Sequence, residues 1–171
     1  CTDNLTGFSA AIGAVFPKTE IQNCIIHQLR NSSKYVSYKD IKALMADLRS
    51  VYAAVDEPAA LDALDAFSTR WDTKYPKISR SWRENWANLS TYFKYLQEVR
   101  RLIYTTNSIE GFNRQLRKVT KTRSVFPTDD GLFKMLYLAM VDITKKWTGR
   151  QRDWSVIHAQ LSIYFAERMP E

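Results

Sequence analysis

Glycine, proline, cysteine and histidine are all scarce in this chain of 171 residues. Five glycines and five prolines are too few for the many turns of an all-β fold, so we expect long helices. Two cysteines and two histidines make a poor inventory for a zinc site, and only Cys24 and His27 form a tight pair in sequence. No disulfide is required, which suits a reducing cytoplasm.

Long apolar runs are also missing, since no run approaches the ~20 residues that a helix needs to cross a bilayer. We therefore expect no membrane partner. The chain opens at Cys1 without a methionine, so we interpret it as part of a longer protein. What is present is apolar: 45% of residues are hydrophobic and 13% are aromatic, which predicts a packed globular protein and argues against disorder.

Positive charge is concentrated in one part of the chain. The formal net charge is +7, and residues 100–152 alone carry twelve Lys or Arg against four Asp or Glu. Such a footprint commonly marks a polyanion partner, most often nucleic acid. A solvated basic face is the alternative, and charge by itself does not separate the two.

The basic segment contains a single acid among five basic residues in YTTNSIEGFNRQLRKVTKTR, residues 104–123. Asn107 and Glu110 have the spacing of a capping box at the start of a helix. Four apolar residues then repeat at helical spacing and are expected to face a core: Ile109, Phe112, Leu116 and Val119. Basic residues occupy another stripe: Arg114, Arg117, Lys118 and Lys121. Glu110 either caps this helix or holds a metal.

The segments before this helix predict further elements. A short helix closed by Pro17 leads to Ile21–Ile26, the best strand candidate. Asp3 precedes that helix, in the kind of loop where α/β sheets place functional acids, although an ordinary cap or turn is the alternative. From residue 30 to 95 the apolar periodicity predicts amphipathic helices, with a cap at Ser37. Trp82 and Trp86 lie at helical spacing and are more often core than base-stacking platforms.

Five motifs follow one another along the chain. They are CTDNLTGF at residues 1–8, CIIH at 24–27 with Arg30 and Asn31 after it, Trp82 with Trp86, the run from Tyr104 to Lys121, and FPTD at 126–129. Together they resemble the Mutator-like transposases of bacterial insertion sequences, and the resemblance covers essentially the whole chain. One small departure is Asn4, where the family commonly has glycine.

The resemblance implies an RNase H-like catalytic core of the DDE type, interrupted by an all-helical insertion. Residues 1–29 would be a core remnant with the second catalytic Asp, a helix and a strand; residues 30–100 would be the insertion; residues 101–171 would be C-terminal core helices with the catalytic Glu and a basic face. The first catalytic Asp would lie upstream of Cys1. The fragment is therefore expected to be mainly α, with about one or two strands left.

The same resemblance implies a DNA transposase that cleaves and joins phosphodiester bonds with Mg²⁺ or Mn²⁺ in a two-metal arrangement. Asp3 and Glu110 match the second and third acids and would be the catalytic metal ligands, while Cys24 and His27 would lie near the active site. His27 would contact DNA or orient an acid, and Cys24 is as well explained as plain core. The residues expected to contact DNA are Asn107, Asn113, Arg114, Arg117, Lys118, Lys121 and Arg123.

The expected partner is double-stranded DNA, both transposon ends and target, bound by a full-length homo-oligomer in the bacterial cytoplasm at the nucleoid. The fragment alone, lacking one acid, is expected to be inactive. Two other interpretations stay open from the residues themselves. One is a non-catalytic helical DNA-binding module that uses residues 100–152, with Glu110 only as a cap; the other is a helical interaction domain whose charge is solvated.

Overall fold

The structure is a computed structural model that describes residues 1–5, 7–104, 108–122, 125–149 and 153–169. Over these residues the secondary structure is helical, as predicted. The α-helices are α1 (Phe8–Val15), α2 (Ile25–Ser33), α3 (Tyr38–Tyr52), α4 (Glu57–Trp71), α5 (Pro76–Glu84), α6 (Trp86–Leu89), α7 (Gln97–Tyr104), α8 (Ser108–Thr120), α9 (Asp129–Thr144) and α10 (Trp154–Tyr164), with a 3-10 helix at Ser90–Lys94. Among the described helices, none has the length and apolarity to cross a membrane.

The strand predicted at residues 21–26 is wrong, and with it the one or two strands expected for the core remnant. In the described residues, the β pairing consists of one isolated parallel bridge between Thr2 and Asn23. Its hydrogen bonds run from Thr2 N to Gln22 O at 2.9 Å and from Cys24 N to Thr2 O at 2.8 Å. Helix α2 begins immediately afterwards, at Ile25, and the side chain of this helical residue is buried. An apolar run of six residues fits a strand and a buried helix start equally well, so its composition was a poor guide.

Contacts divide the chain into two compact units, Cys1–Thr105 and Thr106–Glu171. The predicted three-part division concerns descent from a larger fold, and it stays a prediction.

The core of the first unit lies between α3 and α4. These helices bury the apolar stripes that their periodicity predicts, including Leu44, Leu48, Val51, Leu64 and Phe67. Asp56 caps α4 by accepting a hydrogen bond from Ala59 N at 2.9 Å on Oδ1.

Both tryptophans predicted to be core are used inside this unit. Trp82 is 1% exposed, and its Nε1 donates to Ser32 Oγ at 2.9 Å. The Nε1 of Trp86 donates to Glu57 Oε1 at 2.9 Å. Tyr92 is buried as well, and this burial raises the pKa of its phenol.

The turn before α3 departs from the predicted cap. Ser37 stands at the N-cap position, but its side chain makes no capping hydrogen bond. Instead, Tyr75 clamps the turn: its hydroxyl accepts from Ser37 N at 3.1 Å and donates to Asp40 Oδ2 at 2.7 Å. Lys74 also pairs with Asp40. Hydrogen bonds from Lys74 and then Tyr75 hold the pKa of Asp40 below its ordinary value, and the same pairing raises the pKa of Lys74.

In the second unit, α8 packs on α9, and the rings of Phe112 and Trp147 lie 5.9 Å apart. Thr128 caps α9, because its Oγ1 accepts from Gly131 N at 3.2 Å. The expectation that the whole apolar stripe of α8 faces a core is wrong, since Ile109 is 62% and Val119 is 40% exposed. Spacing shows which face of a helix favours burial, but it does not supply the element that would cover it.

Candidate active site

Asp3 lies between two anchored neighbours. Thr2 forms the parallel bridge with Asn23 on one side. On the other side, the Nδ2 of Asn4 donates to Asn85 Oδ1 at 2.7 Å, and its Oδ1 accepts from Asn23 Nδ2 at 3.2 Å. The side chain of Asp3 between them is 53% exposed. The local structure therefore fixes the backbone and leaves the carboxylate accessible.

The bridge that carries Asp3 is itself tied to the end of α6 by buried polar groups. Asn23 N donates to Asn88 O at 2.8 Å. The Nε2 of Gln22 donates to Leu89 O at 2.9 Å, and both Gln22 and Asn23 are buried. Leaving a buried amide without its hydrogen-bond partner destabilises the folded state. These contacts therefore hold the backbone of the Asp3 loop in place.

His27 is the side chain that meets Asp3. Its Nδ1 lies 3.0 Å from Asp3 Oδ1. The Nη1 of Arg30, one helical turn further along α2, lies 3.4 Å from His27 Nε2. A guanidinium only donates, so we assign Nε2 as the acceptor in this pair and Nδ1 as the nitrogen in polar contact with Asp3. Of the two roles expected for His27, this geometry fits the orientation of an acid.

Helix α2 is held in place by a polar ladder to α5. The Nε2 of Gln28 donates to Ser81 Oγ at 3.0 Å, and Gln28 is 3% exposed. Ser32 accepts from Trp82 and donates to Gln28 O at 2.8 Å. Cys24, at the N-cap position of α2, is 5% exposed, which fits a packing role for its thiol. The imidazole of His27 therefore projects from a helix with little freedom to shift.

Glu110 lies in the first turn of α8 and is half-buried. An acid is favoured there because the unpaired amides at a helix start carry partial positive charge. The predicted capping box also involves Asn107, which lies outside the described residues.

The basic stripe follows Glu110 along the same helix. Arg114, Arg117, Lys118 and Lys121 are all exposed, as is Asn113. Their spacing places the four cations on one face, over roughly 10 Å of helix axis. Arg123, the remaining basic residue predicted to contact DNA, lies outside the described residues. Exposed cations in a row of this kind suit contact with successive phosphates.

Comparison with known proteins identifies the family of this arrangement. The family described as "Transposase, Mutator family" matches residues 1–150. The chain belongs to the Mutator family of transposases.

Relatives within the Mutator family are transposases of insertion sequences. The chain is 44% identical over 167 residues to a probable transposase for insertion sequence element ISRM3-like of Sinorhizobium fredii, which covers 97% of this chain and 42% of that protein. It is 43% identical, over the same shares, to the transposase for ISRM3 of Rhizobium meliloti. A probable transposase of Corynebacterium diphtheriae is 40% identical over 147 residues, 85% of this chain and 43% of that protein. The chain thus spans less than half the length of these relatives.

The donor atoms of this Mutator family chain fit a hard divalent cation. Asp3 and Glu110 offer carboxylate oxygens, which Mg²⁺ and Mn²⁺ prefer. One oxygen of Asp3 lies 3.0 Å from His27 Nδ1, a polar contact that restricts the orientation of the carboxylate. Asp3 is also accessible enough for an ion and its waters to reach it.

Sequence reasoning missed the contacts of two residues that hold this site, Asn4 and Arg30. In the sequence Asn4 is notable only as a departure from the glycine common in the family, although its amide links Asn23 to Asn85. Arg30 was noted as part of a motif, without its contact to His27. A hint was present in the side chains themselves, because Asn is well suited to bonding neighbouring backbone and side-chain groups in loops.

Proposed function

We propose that the protein is the downstream catalytic part of a DDE-type transposase, which cleaves DNA strands and transfers them during insertion-sequence transposition. Asp3 and Glu110 are the second and third acids of the catalytic set. The observation that carries this proposal is the contact between Asp3 and His27. A loop that is held by hydrogen bonds on both sides of Asp3 and presents an accessible carboxylate 3.0 Å from an imidazole has more structure than a simple turn requires.

The isolated bridge supports an RNase H-like origin for the first residues. Thr2 and Asn23 pair in parallel, and helix α1 lies between them in the chain. A parallel pair needs a crossover connection, usually helical, so this is the arrangement expected at the edge of a larger parallel or mixed sheet. The rest of that sheet, and the first catalytic acid, would come from the upstream part of the protein.

In this mechanism, Asp3 and Glu110 would hold Mg²⁺ or Mn²⁺, and His27 keeps the Asp3 carboxylate in one orientation. The bound ions would activate the attacking oxygen and stabilise the leaving oxygen of an in-line displacement. The exposed cations of α8 neutralise phosphates and position the strand. These contacts carry no base information, so recognition of transposon ends belongs elsewhere in the full-length protein, which we propose acts as a homo-oligomer on end and target DNA.

A second candidate is favoured by one observation, the exposed basic stripe of α8. A non-catalytic helical module that binds DNA through this stripe would need Glu110 only at its helix start. The two candidates differ in what they require of the acids.

The test is strand cleavage by the full-length protein on a duplex that carries the transposon end. Asp3→Asn and Glu110→Gln remove a negative charge without removing side-chain volume, so each should abolish Mg²⁺-dependent cleavage while DNA affinity persists. Asp62→Asn, an exposed acid on α4, is the matched control and should cleave normally. Normal cleavage by either active-site variant would favour the non-catalytic module.

A further inference from the structure

A groove in the first unit is lined by residues other than the proposed active-site residues Asp3, His27 and Glu110. It has a volume of about 610 Å³ and lies where the end of α2 and the turn before α3 meet the start of α5. The residues most important for its character are Tyr35, Val36, Lys74, Tyr75, Lys77 and Ile78. We call it the Tyr35 groove. The Tyr75 clamp on Ser37 and Asp40 joins its two walls, so the groove is a built feature of the fold.

Charge in the helical unit is segregated towards this groove. The two segments that contribute its walls, residues 30–42 and 74–80, carry seven Lys or Arg and one acid, Asp40. That acid is already engaged by Lys74 and Tyr75. The intervening residues 43–73 show the reverse balance, two Arg against six Asp or Glu. The walls of the groove therefore come from basic segments, with Lys74 and Lys77 in its lining and Lys34 beside the Tyr35 ring.

Aromatic rings accompany the cations at the groove. Tyr35 is 82% exposed, and Lys34 Nζ lies 5.4 Å from the centroid of its ring. The Nζ of Lys74 is likewise 5.4 Å from the Tyr75 ring. An exposed ring of this size serves no core, whereas rings interleaved with cations are typical of surfaces that bind nucleic acid.

We propose that the Tyr35 groove is a second DNA-binding surface, which contacts the phosphate backbone of double-stranded DNA in addition to the basic face of α8. Lys34 and Lys77 pair with phosphates, and the Tyr35 ring lies against the sugar-phosphate backbone and offers its hydroxyl as a donor. Because these groups recognise phosphate and not base edges, the surface binds without sequence preference and serves to hold DNA that flanks the reacting bonds. This inference rests on the proposed function, which supplies the DNA.

The test measures DNA affinity of the full-length protein against salt concentration, with a random-sequence duplex as the probe. The plot of log affinity against log salt has a negative slope, and each lost phosphate contact reduces the magnitude of this slope by about 1. Lys34→Gln/Lys77→Gln should therefore reduce the magnitude of the slope by about 2, with the largest loss of affinity at low salt. Lys34→Arg/Lys77→Arg keeps the charge and should restore the slope. Arg49→Gln, an exposed cation at the far end of α3, is the control and should leave it unchanged.

The outcomes separate the groove from the catalytic assignment. A slope equal to that of the wild type in Lys34→Gln/Lys77→Gln, with an unchanged thermal melting curve, overturns the groove and leaves the catalytic proposal standing. A drop in slope that the arginine variant fails to restore also overturns it, because phosphate pairing needs only the charge. Normal cleavage by the Asp3→Asn or Glu110→Gln variant would overturn the proposed function, independently of the result for the groove.

Discussion

His27 lies with its Nδ1 3.0 Å from Oδ1 of Asp3, and this contact joins the first turns of α2 to the loop that carries the proposed catalytic acid. The two residues reach each other because the parallel bridge between Thr2 and Asn23 places the start of the chain beside the start of α2. The bridge ends one residue before Asp3, and α2 begins two residues after Asn23. An oriented carboxylate loses less freedom when it binds an ion, which lowers the cost of assembling a metal site.

We predict that His27→Ala in the full-length protein weakens metal use more than DNA binding. Loss of an outer polar partner of a metal-binding group typically costs 10- to 100-fold in affinity or activity, so the Mg²⁺ concentration at half-maximal cleavage should rise by roughly that factor. The measurement is a Mg²⁺ titration of the initial cleavage rate, with DNA affinity measured in parallel.

Two further variants sharpen this prediction. His27→Asn keeps a donor near Asp3 and should recover part of the loss. His158→Ala removes the chain's other histidine, which lies against Trp154 in α10, and should leave the titration unchanged. If His27→Ala instead weakened DNA affinity at constant metal dependence, the imidazole would be a DNA contact and not a positioning group.

The helices were predictable because their periodicity and their stop signals agree. The stripe of Leu44, Leu48 and Val51 was expected to be buried and is fully buried. Pro58 stands in the first turn of α4 behind the Asp56 cap, where a proline is favoured because its missing amide is not needed. Such features depend on residues within one or two turns of each other, so a single sequence contains them.

The site was predictable in its residue types but not in its geometry. Asp3 and His27 were both candidates, yet nothing local says which residues meet across a turn of chain. The strand prediction failed at the same place, because Ile25 and Ile26 satisfy burial as well in a helix as in a strand. Asn4 shows the same limit, since its partners at Asn23 and Asn85 are distant in sequence and invisible to spacing rules.

We predict that Leu64→Ala destabilises the first unit by about 2–5 kcal/mol, because it removes a fully buried side chain and leaves a cavity between α3 and α4. Urea unfolding followed by circular dichroism measures the change. Val55→Ala is the control, since Val55 is 78% exposed and its loss should cost little. Equal effects of the two variants would mean that α3 and α4 do not form the core in solution.

We predict an acid-sensitive contribution from Asp40. Hydrogen bonds from Lys74 and Tyr75 lower its pKa in the folded state below the ordinary value of 3.8. A lowered carboxyl pKa stabilises the fold fully above the unfolded value and loses this effect as pH falls through the folded value. The free energy of unfolding should thus fall more steeply below pH 3.8 in the wild type than in Asp40→Asn. Asp62→Asn, an exposed acid on α4, should keep the wild-type slope.

We predict that charge reversal on the basic face of α8 lowers both DNA affinity and its salt dependence. Arg117→Glu or Lys121→Glu removes a cation and adds a repulsive acid beside the phosphates. Each should therefore reduce the magnitude of the slope of log affinity against log salt by about 1 or more. Titrations of duplex DNA with full-length protein at several salt concentrations measure this slope. Arg49→Glu reverses a charge on α3, which belongs to the first unit, and should leave the slope unaltered. A reduced affinity at constant slope would mean that these side chains act through the fold of α8, because phosphate neutralisation always releases counterions and therefore always changes the slope.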